Sequence, residues 1–344
     1  MGNNAPIIRN LHELTQNSEI QRYDATSVIK DDVLYVLGGN HNGKSIPEIL
    51  SIDLTTSFTI DSPPWSQSLK APPLAFASSG VVFGEHDIQH NDWRRIAMAS
   101  APELNQRGHF KILSYNNGKT YLHGGFFNNT FLGDTYLFDT FLFNWTKLPA
   151  PQTPIIADDY SSVLLKDGRM IIIGGFGAPV DKVFVHTISQ IEIFDTIDNI
   201  WDKKIVPQQN EMTDHRRYHT STLNPSVVIL ETSTRPFQWK IPVISGLKTP
   251  LLYLHCAELV ENRYIFIMFG ITTSEIVSNE LYILDTENYS WIKSFKPKLS
   301  ASPPSLSPQS SNISPSSTTI IIVLSSSRTN DANGENSNVM MYPN

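Results

Sequence analysis

The chain has 344 residues, a formal net charge of −7, 40% apolar residues and 17% charged residues. One cysteine, Cys256, excludes an intramolecular disulfide and a cysteine-built zinc site, and a net acidic chain without a basic run is a poor fit to a nucleic-acid backbone. No apolar stretch nears the ~18 residues that span a bilayer, and 17 Phe with 12 Tyr argue against wholesale disorder.

Residues 1–19 are a lead without a secretory hydrophobic core. Repeat 1 (about 22–67) opens with RYDATSVI, turns at Lys30-Asp31-Asp32 and enters VLYVLGG, closed by Gly38 and Gly39. ILSIDLTTSFTIDSPPW then passes Asp53 and ends at Trp65. Repeat 2 (about 71–96) is short: LAFAS and VVFG reach Trp93 with a weak or missing third strand. Repeat 3 (about 104–148) runs RGHFKILS, KTYLHGG with Gly124 and Gly125, and TYLFDTFLFNW ending at Trp145. Repeat 4 (about 158–206) runs DYSSVLLK, RMIIIGG with Gly174 and Gly175, and IEIFDTIDNIW ending at Trp201. Repeat 5 (about 216–243) passes from RYHTSTLN straight into VVILETSTRPFQW and Trp239, with no Gly-Gly strand. Repeat 6 (about 250–296) runs LYLHCAEL, YIFIMFG and LYILDTENYSW ending at Trp291. Residues 299–344 are rich in Ser, Pro and Asn and read as a disordered tail. Within them Ile320–Leu324 is apolar and β-prone, fit to add as an edge strand or to act as an aggregation hazard.

Each full unit therefore predicts four antiparallel strands: an opening strand, a glycine-closed strand, a strand ending in Asp-Thr, and a tryptophan strand. Asp suits a turn start because its carboxylate bonds nearby backbone amides. Asn-Gly and Asp-Gly at 117–118 and 167–168 are strong hairpin signals. A meander of this length repeated along the chain is the mark of a propeller blade. The fold expected is all-β: a propeller of about six blades over residues 20–298, with repeats 2 and 5 truncated. A tryptophan recurring at one blade position is expected to pack between neighbouring blades, its indole N–H satisfied locally.

These residues resemble the kelch repeat, in which Gly-Gly closes the second strand and a Tyr-type aromatic and then Trp follow. Tyr136, Tyr282, Trp145, Trp201 and Trp291 occupy those places, and Glu192 sits where the tyrosines do. PFQWKIPV, PLLYLHCAELV and YILDTENYSW are similar to a filamentous-fungal kelch group. The resemblance covers about residues 20–296. It implies a galactose-oxidase-like central domain acting as a protein-interaction scaffold. Members of the fungal group often carry a signal peptide and one membrane anchor. Neither is legible here, so a cytoplasmic monomer with no complete transmembrane helix is the default expectation.

The loop leaving each glycine pair shares a rim with the start of each repeat. That rim carries Arg22, Tyr23, Asn40, His41, Arg107, His109, Phe126, Phe127, Phe176, Arg216, Arg217, Tyr218 and His219. Arginine with aromatics is the composition of binding hot spots, and loops on a rigid scaffold usually carry function. Arginine there can equally order loops by bonding backbone carbonyls. No catalytic constellation is legible, and no cofactor or metal is expected. Cys256 beside His255 is a weak hint of a copper oxidase set against a buried, inert thiol. His86 with His90, and His215 with His219, have His-x3-His spacing, which on strands leaves the rings ~13 Å apart. The readings are thus a non-catalytic interaction propeller with a protein partner, a metal-dependent propeller enzyme, or a poorly closed fragment. Four Asn-x-Ser/Thr sequons, at Asn128, Asn144, Asn288 and Asn312, are about what chance gives in this composition.

Overall fold

Near-continuous apolar strands such as Arg169–Ile173 and Tyr264–Met268 need two buried faces, and the structure shows how neighbouring repeats supply them. The computed structural model describes residues 20–70, 110–115, 118–127, 130–149, 160–165, 167–177, 184–185, 187–207, 227–249, 252–272, 274–298 and 319–323. Repeat 2, the opening of repeat 5 and most of the tail lie outside the described residues. The described residues are almost entirely strand and turn, and the sheets are arranged as a β-propeller.

Sheet I joins Thr26–Lys30, Val33–Leu37, Glu48–Asp53 and Ser66–Lys70 in chain order. Sheet II does the same with Lys111–Tyr115, Lys119–His123, Thr135–Asp139 and Asn144–Lys147. Sheet III uses Ser161–Leu164, Arg169–Ile173, Gln190–Asp195 and Ile200–Ile205. Sheet V uses Cys256–Val260, Tyr264–Met268, Leu281–Asp285 and Ser290–Ile292, with Ser245–Gly246 added in parallel at its outer edge. These four are antiparallel meanders in one register. The first residue of each glycine-closed strand faces the turn aspartate: Val33 and Asp53, Lys119 and Asp139, Arg169 and Asp195, Tyr264 and Asp285.

Sheet IV departs from this plan. Val227–Glu231 pairs with Gln238–Lys240 on one side and with Thr319–Val323 on the other. Five residues inside the stretch expected to be disordered thus form a strand, at an edge of the described sheet. The apolar, β-prone composition of Ile320–Leu324 offered an edge strand or an aggregation hazard, and pairing with Val227–Glu231 realises the edge strand.

The strand period of two sorts side chains between neighbours. Met170 and Ile172 pack with Tyr121 and Tyr160 between sheets II and III, whereas Ile171 and Ile173 pack with Val228 and Leu230 toward sheet IV. Ile265 and Ile267 join Val227 between sheets IV and V. Tyr264, Phe266 and Met268 join Leu34, Val36, Leu50 and Ile52 between sheets V and I. The last described sheet therefore closes on the first. Backbone bonds tie the same seam: Asp24 N–H donates to Leu254 O (3.0 Å), Gly270 N–H to Arg22 O (2.9 Å), and Ser294–Phe295 pairs with Phe58–Thr59. Burying one such large apolar side chain contributes roughly 1.5–3 kcal/mol before entropy is counted.

Trp65, Trp201, Trp239 and Trp291 each sit in the cluster shared with the preceding sheet. Trp145 stacks on Phe138 (4.8 Å) in a cluster built from sheet II and Phe110. The indole nitrogens depart from expectation: Nε1 of Trp65 and of Trp201 is buried with no hydrogen-bond partner among the described residues. Packing against Phe269 and Phe194, 5.3 and 5.0 Å away, accounts for their placement instead.

The Asp-Thr pairs have separate tasks. Asp139 Oδ1 accepts from Phe141 N–H and Leu142 N–H (both 2.9 Å), and Asp195 Oδ1 from Ile197 N–H (2.8 Å). Thr196 Oγ1 donates to Gly168 O (2.7 Å) and Thr286 Oγ1 to Arg263 O (2.6 Å), fastening the turn to the neighbouring hairpin.

Candidate functional site

The two rims of the propeller differ in construction. On one rim the glycine-closed strands end in a shared backbone form: φ is +64° and +94° at Gly38 and Gly39, +65° and +100° at Gly124 and Gly125, and +63° and +91° at Gly174 and Gly175. Sheet V repeats it with Phe269 (+64°) and Gly270 (+90°). The second position must be glycine for lack of room. A Cβ would lie 2.8 Å from Tyr23 O at Gly39 and 2.7 Å from Tyr253 O at Gly270. The first position tolerates a side chain at the cost of left-handed backbone, as Phe269 shows.

This strained exit turns the chain into a short hairpin that the sequence did not announce. Asn40–His41 pairs with Lys44–Ser45, Phe126–Phe127 with Thr130–Phe131, and Phe176–Gly177 with Phe184–Val185. In sheet V, Ile271–Thr272 pairs with Leu252–Tyr253. The backbones of Phe126, Phe127 and Phe176 thus lie in these hairpins at the expected rim. His41 is half-buried, its Nε2 2.9 Å from Asn42 Nδ2. Tyr23 is half-buried and exchanges backbone bonds with Asn40 at 3.0 and 2.8 Å; burial raises its phenol pKa. Arg107, His109, Arg216, Arg217, Tyr218 and His219 lie outside the described residues.

Arg22 is fully buried. Its guanidinium donates to Gly38 O and Glu48 O (both 3.1 Å) and to Ile20 O (3.3 Å), and sits 5.4 Å from the Phe269 ring. What this arginine offers is order: it binds the carbonyls that shape the first hairpin. Burial lowers its pKa to about 10, against the opposing pull of Cys256 and Glu48.

The opening strands of sheets V and I meet beside it. Ser27 Oγ donates to Glu258 Oε1 (2.9 Å), and burial raises Glu258 to about 7 against that bond. The Cys256 thiol donates to Met268 O (3.6 Å) and is pushed up to about 12 by burial, with the Glu258 charge adding. A thiol held in that state is a poor nucleophile and metal ligand. Among the described residues no three His, Cys, Asp or Glu side chains converge.

The opposite rim, formed by the Asp-Thr turns, carries what the sequence reading missed. At the tip of sheet II, Phe141 and Leu142 are 69% and 73% exposed, and Phe143 is exposed beside them with φ at +51°. Sheet III places Ile197 (76% exposed) on the adjoining turn and Ile200, also exposed, at the start of the strand that leaves it. Tyr121 Oη of sheet II donates to Thr196 O of sheet III (3.5 Å), so the two turns share one rim. Gly118 lies under the Phe141 ring, where a Cβ would come within 2.1 Å of Cε2. The available signal was TFLF in the turn window after Asp139, where turns are ordinarily polar. On the same rim in sheet V, Arg263 makes a two-pronged pair with Asp285 (3.0 and 2.6 Å) and reaches Glu287 (3.0 Å).

Three comparisons bear on this arrangement. The family model described as the KLHDC2/KLHL20/DRC7 Kelch-repeats domain matches residues 9–230. No curated protein matches the sequence. Among solved structures, that of YjhT is similar at 13% identity with a TM-score of 0.55, covering 79% of this chain and 97% of that one. At that identity the likeness shows the fold alone. Among the described residues no helix is long and apolar enough to cross a membrane.

Proposed function

The chain belongs to this Kelch-repeat family, and from that premise we propose that it is a non-catalytic protein-interaction module whose contact surface is the Asp-Thr rim of sheets II and III. One observation carries the reading: Phe141, Leu142 and Phe143 are exposed on one turn, with exposed Ile197 and Ile200 on and just after the next. Scattered exposed apolar residues need no explanation, but a run of three in one turn does, with two more on the adjoining sheet at the same rim, and exposed apolar patches mark contact surfaces. The turn aspartates hold these residues on a rigid frame, so little order has to be acquired on binding. The partner implied is a protein with a complementary apolar face.

The hairpin rim is a second candidate surface, supported by the repeated hairpins that follow the glycine pairs. The two surfaces separate in one experiment. The chain is used as bait in three forms: parent, Phe141→Ser/Leu142→Ser/Phe143→Ser, and Arg107→Ala/Phe126→Ala/Arg216→Ala. Proteins held by the parent and lost only from the first variant support the Asp-Thr rim. Loss only from the second moves the site to the hairpin rim. Equal capture by all three, or none by the parent, sinks the reading.

A further inference from the structure

We propose that the free edge of Val227–Glu231 is a strand-binding site for an uncharged β-branched segment. In the intact chain Thr319–Val323 fills it, and the same segment supplied in trans can fill it too. The proposal does not depend on the contact surface above.

Sheet IV is the sheet whose repeat lacks a glycine-closed strand. The pairing shows what replaces it. Glu231, the counterpart of the turn aspartates, faces Thr319; Leu230 faces Ile320; Ile229 faces Ile321; Val228 faces Ile322; Val227 faces Val323. In sheets I, II, III and V the first residue of a five-residue glycine-closed strand faces the aspartate in the same antiparallel sense. Thr319–Val323 has that length, direction and register. It stands where Arg169–Ile173 stands in sheet III.

With Thr319–Val323 paired along them, Val227, Val228, Ile229 and Leu230 are all buried, and loss of that strand would leave the backbone groups on this side of Val227–Glu231 without ladder partners. A five-residue strand of Thr, Ile and Val meets that need: it brings a full set of backbone groups, high β-propensity and no charge. The order of the chain permits exchange. Residues 299–318 separate the segment from Lys298, and twenty residues can span at most roughly 65 Å. Nothing in the covalent connection between repeats 4, 5 and 6 passes through it. Among the described residues the strand is paired to Val227–Glu231 alone.

The test keeps the whole chain. A protease site is placed within residues 305–311, the folded protein is cut, and the products are run on a sizing column. A labelled peptide of residues 316–327 is then titrated into the cut protein, beside the same peptide carrying Ile321→Pro, which removes an amide donor. The proposal expects the released tail to co-elute with the propeller, or to exchange for labelled peptide saturating at one per chain. The proline peptide should bind at least about tenfold more weakly. In the uncut chain, Ile321→Pro should speed amide exchange across 227–231 without speeding it in sheet I. A tail that elutes alone while peptide fails to bind, or binds without saturation, overturns the proposal. So does equal binding of both peptides.

Discussion

The Phe269 ring lies 5.3 Å from the Trp65 indole, and the pair joins the last described sheet to the first. Both side chains are buried, in one cluster that also holds Cys256. A propeller that failed to close would leave this seam in water. Truncating Phe269 removes the ring that also lies 5.4 Å from the Arg22 guanidinium. Phe269→Ala should cost about 3–5 kcal/mol, the usual range for a buried phenylalanine. Two readouts check it: a lower midpoint in urea, and faster labelling of the Cys256 thiol under native conditions. A variant as stable as the parent with an equally protected thiol would show that the seam does not hold the ring.

The paired positive φ values make unequal predictions for the two glycines. At Gly39 a Cβ meets Tyr23 O at 2.8 Å, so the backbone of two strands must part. At Gly38 the corresponding position in sheet V carries Phe269, so this turn accepts a side chain there at the cost of a left-handed φ. Gly38→Ala should cost about 1–2 kcal/mol and Gly39→Ala distinctly more. Denaturant melts of the two variants check the order; equal costs would contradict it.

Glu258 gives the protein a pH dependence of definite sign. Burial raises its folded pKa to about 7, so the native state holds a proton that the unfolded chain gives up near the ordinary glutamate range. Its stabilising contribution is complete below that range and is lost as pH rises through about 7. Glu258→Gln keeps an acceptor for Ser27 Oγ and removes the titration. Thermal melts between pH 5 and 8 should fall for the parent and stay flatter for the variant. At pH 8 the variant should be the more stable, by on the order of 1 kcal/mol. Parallel pH profiles would place Glu258 in water.

The blade plan was legible because its signals are local. The glycine pairs, the Asp-Thr turns and the tryptophans fix strand ends within a few residues, and all recur at matching register. What the local residues left open was decided at a distance. Ile320–Leu324 reads alike as an edge strand or an aggregation hazard. Only the vacant edge of Val227–Glu231, which lies nearly ninety residues earlier, selects among them. The apolar turn at Phe141–Phe143 escaped for the opposite reason: apolar letters read as core, and only the register of Asp139 with Asn144 turns them outward. Arg22 was legible as a rim residue, but its burial follows from the Gly38 and Glu48 carbonyls converging on it.

The central claim is that the Asp-Thr rim of sheets II and III meets a protein. Site-specific photo-crosslinking tests it most directly, with a photoreactive phenylalanine placed at Leu142 and, for comparison, at Val243, which is 88% exposed and outside the apolar turns. In native extract the Leu142 probe should yield one discrete adduct, competed away by unlabelled parent protein, and the Val243 probe none. No adduct from Leu142, or the same adducts from both positions, would contradict the account.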